Sequence, residues 1–272
     1  MRFKYRLRKR YRQFIFNLSA SENRLWLAWC RNVYKPRPGT LEVFLDKYSR
    51  EHKPVTFLQV GANDGFINDP LHILIKRDHW QGVLLDPLPD VFDEYLARLH
   101  RKRPEITAIN AALDHNDGTR PLYKLSISGE RWAHGLSSFN REMLVKKLTD
   151  GSMERNMRRQ GVTLPSSVDE CITMDEVATI SPETLMKNFE GRKLDLLVID
   201  TEGYDYEILK MLDVKRISPE VIIYEEMLLD EKTAAECREY LRSNGYSCLP
   251  IQRDVLAVKE HLSPENGTVD VC

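Results

Sequence analysis

From residue 193 to 210 the sequence reads KLDLLVIDTEGYDYEILK, an order of patterns that few folds accept. Leu194, Leu196, Leu197, Val198 and Ile199 form a short apolar run, as in a strand covered on both faces of a parallel sheet. The run stops on Asp200-Thr201-Glu202-Gly203. From Tyr204 onward Ile208, Leu209 and Leu212 fall at helical spacing. Strand, acidic turn and helix in succession make one unit of an open α/β sheet. Such sheets bind ligands beyond the carboxyl ends of their strands, where Asp200 and Glu202 fall. The plainer alternative is that both acids only cap the next helix, whose N-terminus favours negative charge.

The same unit recurs upstream. Residues 55–60 read as a strand and lead into Gly61-Ala62-Asn63-Asp64-Gly65. Glycine there lets the backbone turn sharply and approach a ligand. Asp69 and Pro70 suit the N-cap and first turn of a helix. A dinucleotide fingerprint would need glycines where Asn63 and Phe66 stand, so that register fails. Residues 82–86 give a second strand ending on Asp86, with a helix following through Leu99. An acid that ends the strand after a glycine turn commonly receives ribose hydroxyls; alternatively it caps the helix at Val91.

Residues 105–110 predict a third strand running into Ala111, and 114–118 a turn. Short strands are expected at 122–125 and 167–172, with Asp175 in the turn after the second. A further strand at 221–224 ends on Glu225-Glu226, and 233–243 is a helix closed by Asn244-Gly245. Residues 246–251 and 255–259 read as a closing antiparallel hairpin. The polar stretch 127–165 carries a basic helical piece at 141–159 and reads as a substrate-side insertion or lid. Within it His134 is either a general base or an idle loop histidine.

Charge excludes little: the formal net charge is -1, so no nucleic-acid partner is expected. Five scattered cysteines without CxxC spacing suit reduced thiols in a cytoplasm and give no zinc site. No apolar run reaches the length of a membrane span, and no apolar segment behind the basic N-terminus signals secretion. Seven of the first twelve residues are Lys or Arg. Phe14, Ile15, Phe16, Leu18, Leu25, Trp26 and Trp29 follow near helical spacing. This basic amphipathic segment either contacts the inner face of an anionic membrane or packs on the domain with its basic face in water. Pro36 marks its boundary, giving an extension at 1–36, a main domain at 37–262 and a flexible tail at 263–272. A chain shortened to begin near Tyr34 is expected to keep its ligand binding. Nothing indicates the oligomeric state.

Alternating strands and helices specify an open, mostly parallel α/β sheet with helices on both faces and an antiparallel hairpin at the end. Val60-Gly61-Ala62-Asn63-Asp64-Gly65, Asp86-Pro87-Leu88-Pro89, Asn110-Ala111-Ala112-Leu113, Ser137-Ser138, Thr173-Met174-Asp175 and Ile199-Asp200-Thr201-Glu202-Gly203 occur in the order of the FkbM-type methyltransferases. The chain resembles that family from about residue 55 to 259. It departs from the pattern at Gln59, Asn63, Val198 and Gly203-Tyr204-Asp205. The resemblance implies the seven-stranded, Rossmann-like fold of S-adenosylmethionine-dependent methyltransferases, and a hydroxyl oxygen as acceptor on a glycan, lipid or natural product. It places the cofactor's methionine portion at the turn formed by Gly61, Ala62, Asn63, Asp64 and Gly65. Asp86 would hold the ribose, Asn110 and Ala111 would border the adenine, and Asp200 would face the amino group or the acceptor.

A hydroxyl must lose its proton, which calls for a base or a metal. If the strands ending at Asp200 and Tyr224 are neighbours, Asp200, Glu202 and one of Glu225 and Glu226 share a catalytic centre. Glu225 is taken as that acid. Close carboxylates repel unless a proton or a divalent cation lies between them, and no metal ligand is assigned. Two other classes fit the pattern: a sugar-nucleotide transferase using Asp200 and Glu202 as a metal-holding triplet with Thr201, and a binding protein without turnover.

Overall fold

A computed structural model describes residues 2–127, 136–151, 167–189 and 191–262. Its strands are β1 (Thr56–Val60), β2 (Gln81–Leu85), β3 (Ile106–Ile109), β4 (Ala112–Leu113), β5 (Gly118–Leu125) and β6 (Ser137–Ser138). They continue with β7 (Ile172–Ile180), β8 (Leu196–Ile199), β9 (Val221–Glu225), β10 (Tyr246–Ile251) and β11 (Asp254–Lys259). The principal helices are α1 (Arg2–Ala20), α2 (Arg24–Asn32), α3 (Leu41–His52), α4 (His72–Asp78) and α5 (89–100). After these come α6 (Arg141–Thr149), α7 (Asp205–Leu212) and α8 (Glu231–Ser243).

Seven strands form one sheet in the order β10-β11-β9-β8-β1-β2-β3. The five from β9 to β3 run parallel, and β11 and β10 close the edge antiparallel. This is the open, mostly parallel Rossmann-like sheet expected from the sequence, with its antiparallel closing hairpin. Successive side chains on a strand face opposite ways, and both faces here are apolar. Leu58, Val60, Leu197, Ile199, Ile222 and Tyr224 pack under α7 and α8. Phe57, Leu196, Val198, Val221 and Ile223 pack under α3 and α4. The uninterrupted apolar run at 196–199 follows from that double burial.

A second sheet, ordered β4-β7-β5-β6, stands beside the first. Here the sequence expectation needs correcting. Residues 168–171 form a 3-10 turn, opened by the Ser167 side chain accepting from Asp169 N–H at 3.2 Å. The strand begins only at Ile172 and runs through Asp175, which pairs with Leu122 and is no turn residue. Thr173, Val177, Thr179 and Ile180 are β-branched and favour that longer strand. Asp175 is tolerated because Lys124 on β5 pairs with its carboxylate. The helix in the insertion runs from Arg141 to Thr149; His134, residues 152–166 and the expected tail at 263–272 lie outside the described residues.

The N-terminal extension packs on the domain by one face. Phe16 is fully buried, edge-on to Phe66 and Tyr95. Ser19 Oγ lies 2.8 Å from His72 Nε2.

Candidate active site

The carboxyl ends of β1, β2 and β8 converge on a cleft with about 690 Å³ of empty space, its open mouth included. Backbone geometry sets its floor. Gly61 has φ +83°, and a Cβ there would lie 1.9 Å from the Asp200 carbonyl oxygen. Gly61 and Ala62 N–H both donate to Leu85 O, at 3.0 and 2.8 Å. The chain therefore turns tightly against β2 and β8 together. Asn63 follows at φ 49° and Glu202 sits at φ 53°, left-handed conformations that non-glycine residues adopt at a cost.

Asp86 holds the turn. Its Oδ2 accepts from Asn63 N–H at 2.8 Å and its Oδ1 from Leu88 N–H at 3.0 Å. Asn110 Nδ2 donates to the Asp86 carbonyl at 2.8 Å. Of the residues assigned from sequence to the cofactor, Gly61, Asn63, Asp86, Ala111 and Asp200 line the cleft. Ala62, Asp64, Gly65 and Asn110 stand behind it and shape the loops. Ala62 is buried in the core, and Asp64 Oδ1 accepts from Phe66 and Ile67 N–H, both at 2.7 Å. Gly65 faces Leu96 and His100.

At the other end of the cleft one carboxylate oxygen each from Asp200, Glu202 and Glu225 lies within 4.8 Å of the others. Parallel pairing of β8 with β9 sets Ile199 opposite Tyr224, so the acids that follow are neighbours. Glu226 is drawn to the far side, where Tyr224 Oη at 3.1 Å and Arg238 at 2.7 Å hold it. Lys147 of α6 pairs with Glu202, and Arg253 from the β10–β11 turn pairs with Glu225. Asp200 is exposed at the cleft, yet crowding by surrounding protein atoms, then the charges of Glu225 and Glu202, raise its carboxyl well above the ordinary range. Burial and Glu202 push Glu225 up to about 7.

Asp205, not singled out from sequence as a site residue, ties this centre together. It is fully buried at the start of α7. Its Oδ2 accepts from Thr201 Oγ1 at 3.1 Å and Gly203 N–H at 3.2 Å, and its Oδ1 from Glu225 N–H at 3.3 Å. An acid in a helix's first turn resembles any cap, so only its spacing from Asp200 could have marked it. Arg120, Phe139 and Tyr204 form a further wall. The guanidinium lies 4.1 Å from the Phe139 ring centre and 5.6 Å from that of Tyr204.

Burial pushes the Asp86 carboxyl up to about 7. An unfolded Asp titrates near 4, so the folded state holds the extra proton between about pH 4 and 7. The wild-type contribution is fully present below about pH 4 and is lost as pH rises through 7. Asp86→Asn cannot titrate. Its stability relative to wild type is expected to improve by about 4 kcal/mol from pH 4 to 8. Urea denaturation at both pH values measures the change, and a gap that does not move removes the buried-acid assignment.

Residues 59–248 match the model of the methyltransferase FkbM domain. No curated protein sequence matches the chain significantly. Solved structures that align include a precorrin-6y C5,15-methyltransferase from Geobacter metallireducens GS-15. It has 13% identity and a TM-score of 0.37, with 80% of this chain and 88% of that one covered. A delta-N METTL16 MTase domain aligns at 11% identity and TM-score 0.40, over 91% and 96% of the two chains. A human methyltransferase 10 domain containing protein aligns at 11% and 0.39, over 91% and 97%. With the family model spanning the glycine turn, Asp86, the acid centre and the strands between them, the chain belongs to the FkbM methyltransferase domain family.

Proposed function

We propose that the protein transfers a methyl group from S-adenosylmethionine to a hydroxyl oxygen of a glycan, lipid or natural product. Membership of a methyltransferase family implies the cofactor, and the residues of the cleft fit it. A carboxylate has about four acceptor sites; backbone donors take two at Asp86, leaving capacity for ribose hydroxyls. Leu88, Ala111 and Leu113 give an apolar wall suited to a flat base. Bound there, the cofactor supplies an electrophilic methyl group on a sulfonium sulfur.

The observation that carries the oxygen assignment is the acid centre at the mouth of this cleft. An amine attacks through a free lone pair, but a hydroxyl needs its proton drawn off during transfer. Asp200 and Glu202 line the cleft, so the acid centre stands where that proton must be drawn off. Arg253 and Lys147 hold the neighbouring carboxylates, and Asp205 fixes the backbone around them, so reorganisation during transfer is small.

Cofactor binding and turnover test separate parts of this reading. Asp86→Ala removes a charge-assisted acceptor, which contributes about 1.5–3 kcal/mol. Calorimetry should show S-adenosylmethionine affinity falling at least about tenfold; unchanged affinity in folded protein removes Asp86 from the ribose. Asp200→Asn should keep cofactor binding while a hydroxyl acceptor found by screening with labelled cofactor turns over about 100-fold more slowly. Co-purification of a nucleoside diphosphate sugar, and no affinity for the sulfonium cofactor, would favour the sugar-nucleotide transferase.

A further inference from the structure

We propose that Asp200, Glu202 and Glu225 hold one divalent cation that receives the acceptor oxygen. This rests on the methyltransferase reading of the same cleft. Three observations support it. One oxygen from each side chain lies within 4.8 Å of the others, the separation that opposite ligands keep around an ion bound at about 2.4 Å. Glu225 is only 3% exposed, and its Oε2 is sealed from water with no hydrogen-bond partner among the described residues. Arg253 serves only its Oε1. An orphaned buried carboxylate oxygen is costly, and a cation in the centre satisfies it.

Charge points the same way. Lys147 and Arg253 offset two of the three carboxylates, and Asp205 and Asp254 add negative potential at Asp200. Each cationic side chain takes one oxygen of its partner, so Glu202 Oε1, Glu225 Oε2 and the Asp200 carboxylate remain for a ligand. All-oxygen donors select a hard ion such as Mg²⁺, Mn²⁺ or Ca²⁺. The acceptor hydroxyl's proton then leaves to water at lower cost. The oxygen lone pair forms the new C–O bond as the C–S bond breaks, and that bond's electron pair stays on sulfur.

Full-length protein stripped with a chelator is titrated with Mn²⁺, free ion being read by its paramagnetic resonance signal. One site per chain is expected, displaced by Mg²⁺ or Ca²⁺. Asp200→Asn and Glu225→Gln should each weaken it at least tenfold, while Glu226→Gln leaves it unchanged. Circular dichroism and urea denaturation, measured on every variant, show that each is folded, and S-adenosylmethionine binding is measured on the wild type. Cofactor binding without any Mn²⁺ site overturns the cation and leaves the methyltransferase reading standing. Binding of neither ligand overturns both, and Mn²⁺ affinity indifferent to Asp200 and Glu225 overturns this placement.

The N-terminal helices carry a second, independent inference: α1 and α2 form a docking face for an anionic lipid bilayer. Leu7, Tyr11 and Phe14 are about 60% exposed and lie at spacings of four and three, a single stripe on α1. Phe16 and Ser19, which anchor α1 to the domain, lie on another face. At about 100° per residue, Arg8 and Arg10 flank the stripe on either side. Arg6, Arg8, Arg10 and Arg12 are exposed and have no ion pair among the described residues. On α2, Leu25 and Trp29 are also exposed. An apolar stripe between unpaired cations complements an anionic interface, which it would enter by its side chains alone.

Co-sedimentation of the full chain should occur with vesicles containing phosphatidylserine, weaken with salt, and be absent with phosphatidylcholine alone. Leu7→Glu combined with Phe14→Glu should abolish it without changing S-adenosylmethionine affinity. Failure to sediment with anionic vesicles overturns the proposal. So does concentration-dependent dimerisation, in ultracentrifugation, that the same substitutions abolish, since a second copy would then occupy the face.

Discussion

Gly61→Ala is expected to cost about 4 kcal/mol of stability and to abolish cofactor binding. The cause is local. The new Cβ would stand 1.9 Å from the carbonyl oxygen of Asp200 and 2.8 Å from its carbonyl carbon. Both are backbone atoms at the end of β8, the strand paired with β1. Neither can rotate away, so the two central strands must separate where the acid centre begins. Overpacking of this kind costs about 1–3 kcal/mol, and the left-handed conformation at φ +83° adds a further 1–3. Gly39 supplies the contrast: it has φ +74°, but nothing lies within 4 Å of the Cβ that alanine would add. Gly39→Ala should therefore cost only about 1 kcal/mol. Urea denaturation of both variants separates strain from collision, and equal losses would mean that β1 and β8 do not meet as described.

The same junction shows why so much of the main sheet could be read from sequence. Leu196 to Ile199 are apolar without interruption because alternate residues enter different cores, one under α7 and α8 and one under α3 and α4. Four of the five parallel strands end where an acid or a glycine replaces that run, β3 running into Asn110 instead, so Asp86, Asp200 and Glu225 were visible as strand-end groups. The second sheet had no such signature. Residues 172–180 alternate buried and water-facing positions irregularly, and β4 and β6 have two residues each. Partners distant in sequence were equally hidden. Lys147 and Arg253 reach the acids only because α6 and the β10–β11 turn are folded over the ends of β8 and β9. Nothing in their local sequence distinguishes them from solvated cations. Ala62, Asp64 and Gly65 sit in the expected turn, yet a turn has two sides. Which residues face the cleft depends on the left-handed step at Asn63.

Glu22→Ala is expected to cost about 3 kcal/mol and to loosen the N-terminal extension from the domain. Two buried cations of the main domain, Lys76 and Arg103, each pair with a carboxylate that lies in the extension. Lys76 is fully buried and Arg103 nearly so, and both pair with Glu22 between α1 and α2. Lys76 Nζ also donates to Leu99 O at 2.7 Å, and Arg103 to the carbonyls of Ile75 and Lys76 at 3.1 and 3.0 Å. Those carbonyls supply no counter-charge, and without Glu22 the two cations would share one remaining carboxylate among the described residues, Glu105, whose Oε1 lies 3.2 Å from Arg103 Nη1. Breaking a buried pair from one side costs about 3–5 kcal/mol; Glu22, 17% exposed, belongs at the lower end. Removing residues 1–33 should cost more, because Phe16 then also leaves Phe66 and Tyr95. The pH dependence carries a definite sign. Burial raises the Glu22 carboxyl, but hydrogen bonds and charge from Arg103 and Lys76 outweigh it and bring the net value below the ordinary range. Its contribution is therefore present above about pH 4 and disappears as pH falls through the lowered value. Trp26 and Trp29 lie on α2, so their fluorescence reports the extension. In wild type that signal should change on acidification through the window below pH 4, and in Glu22→Ala it should already be altered at pH 7. Identical fluorescence and stability in the two proteins at pH 7 would mean that Lys76 and Arg103 are balanced elsewhere.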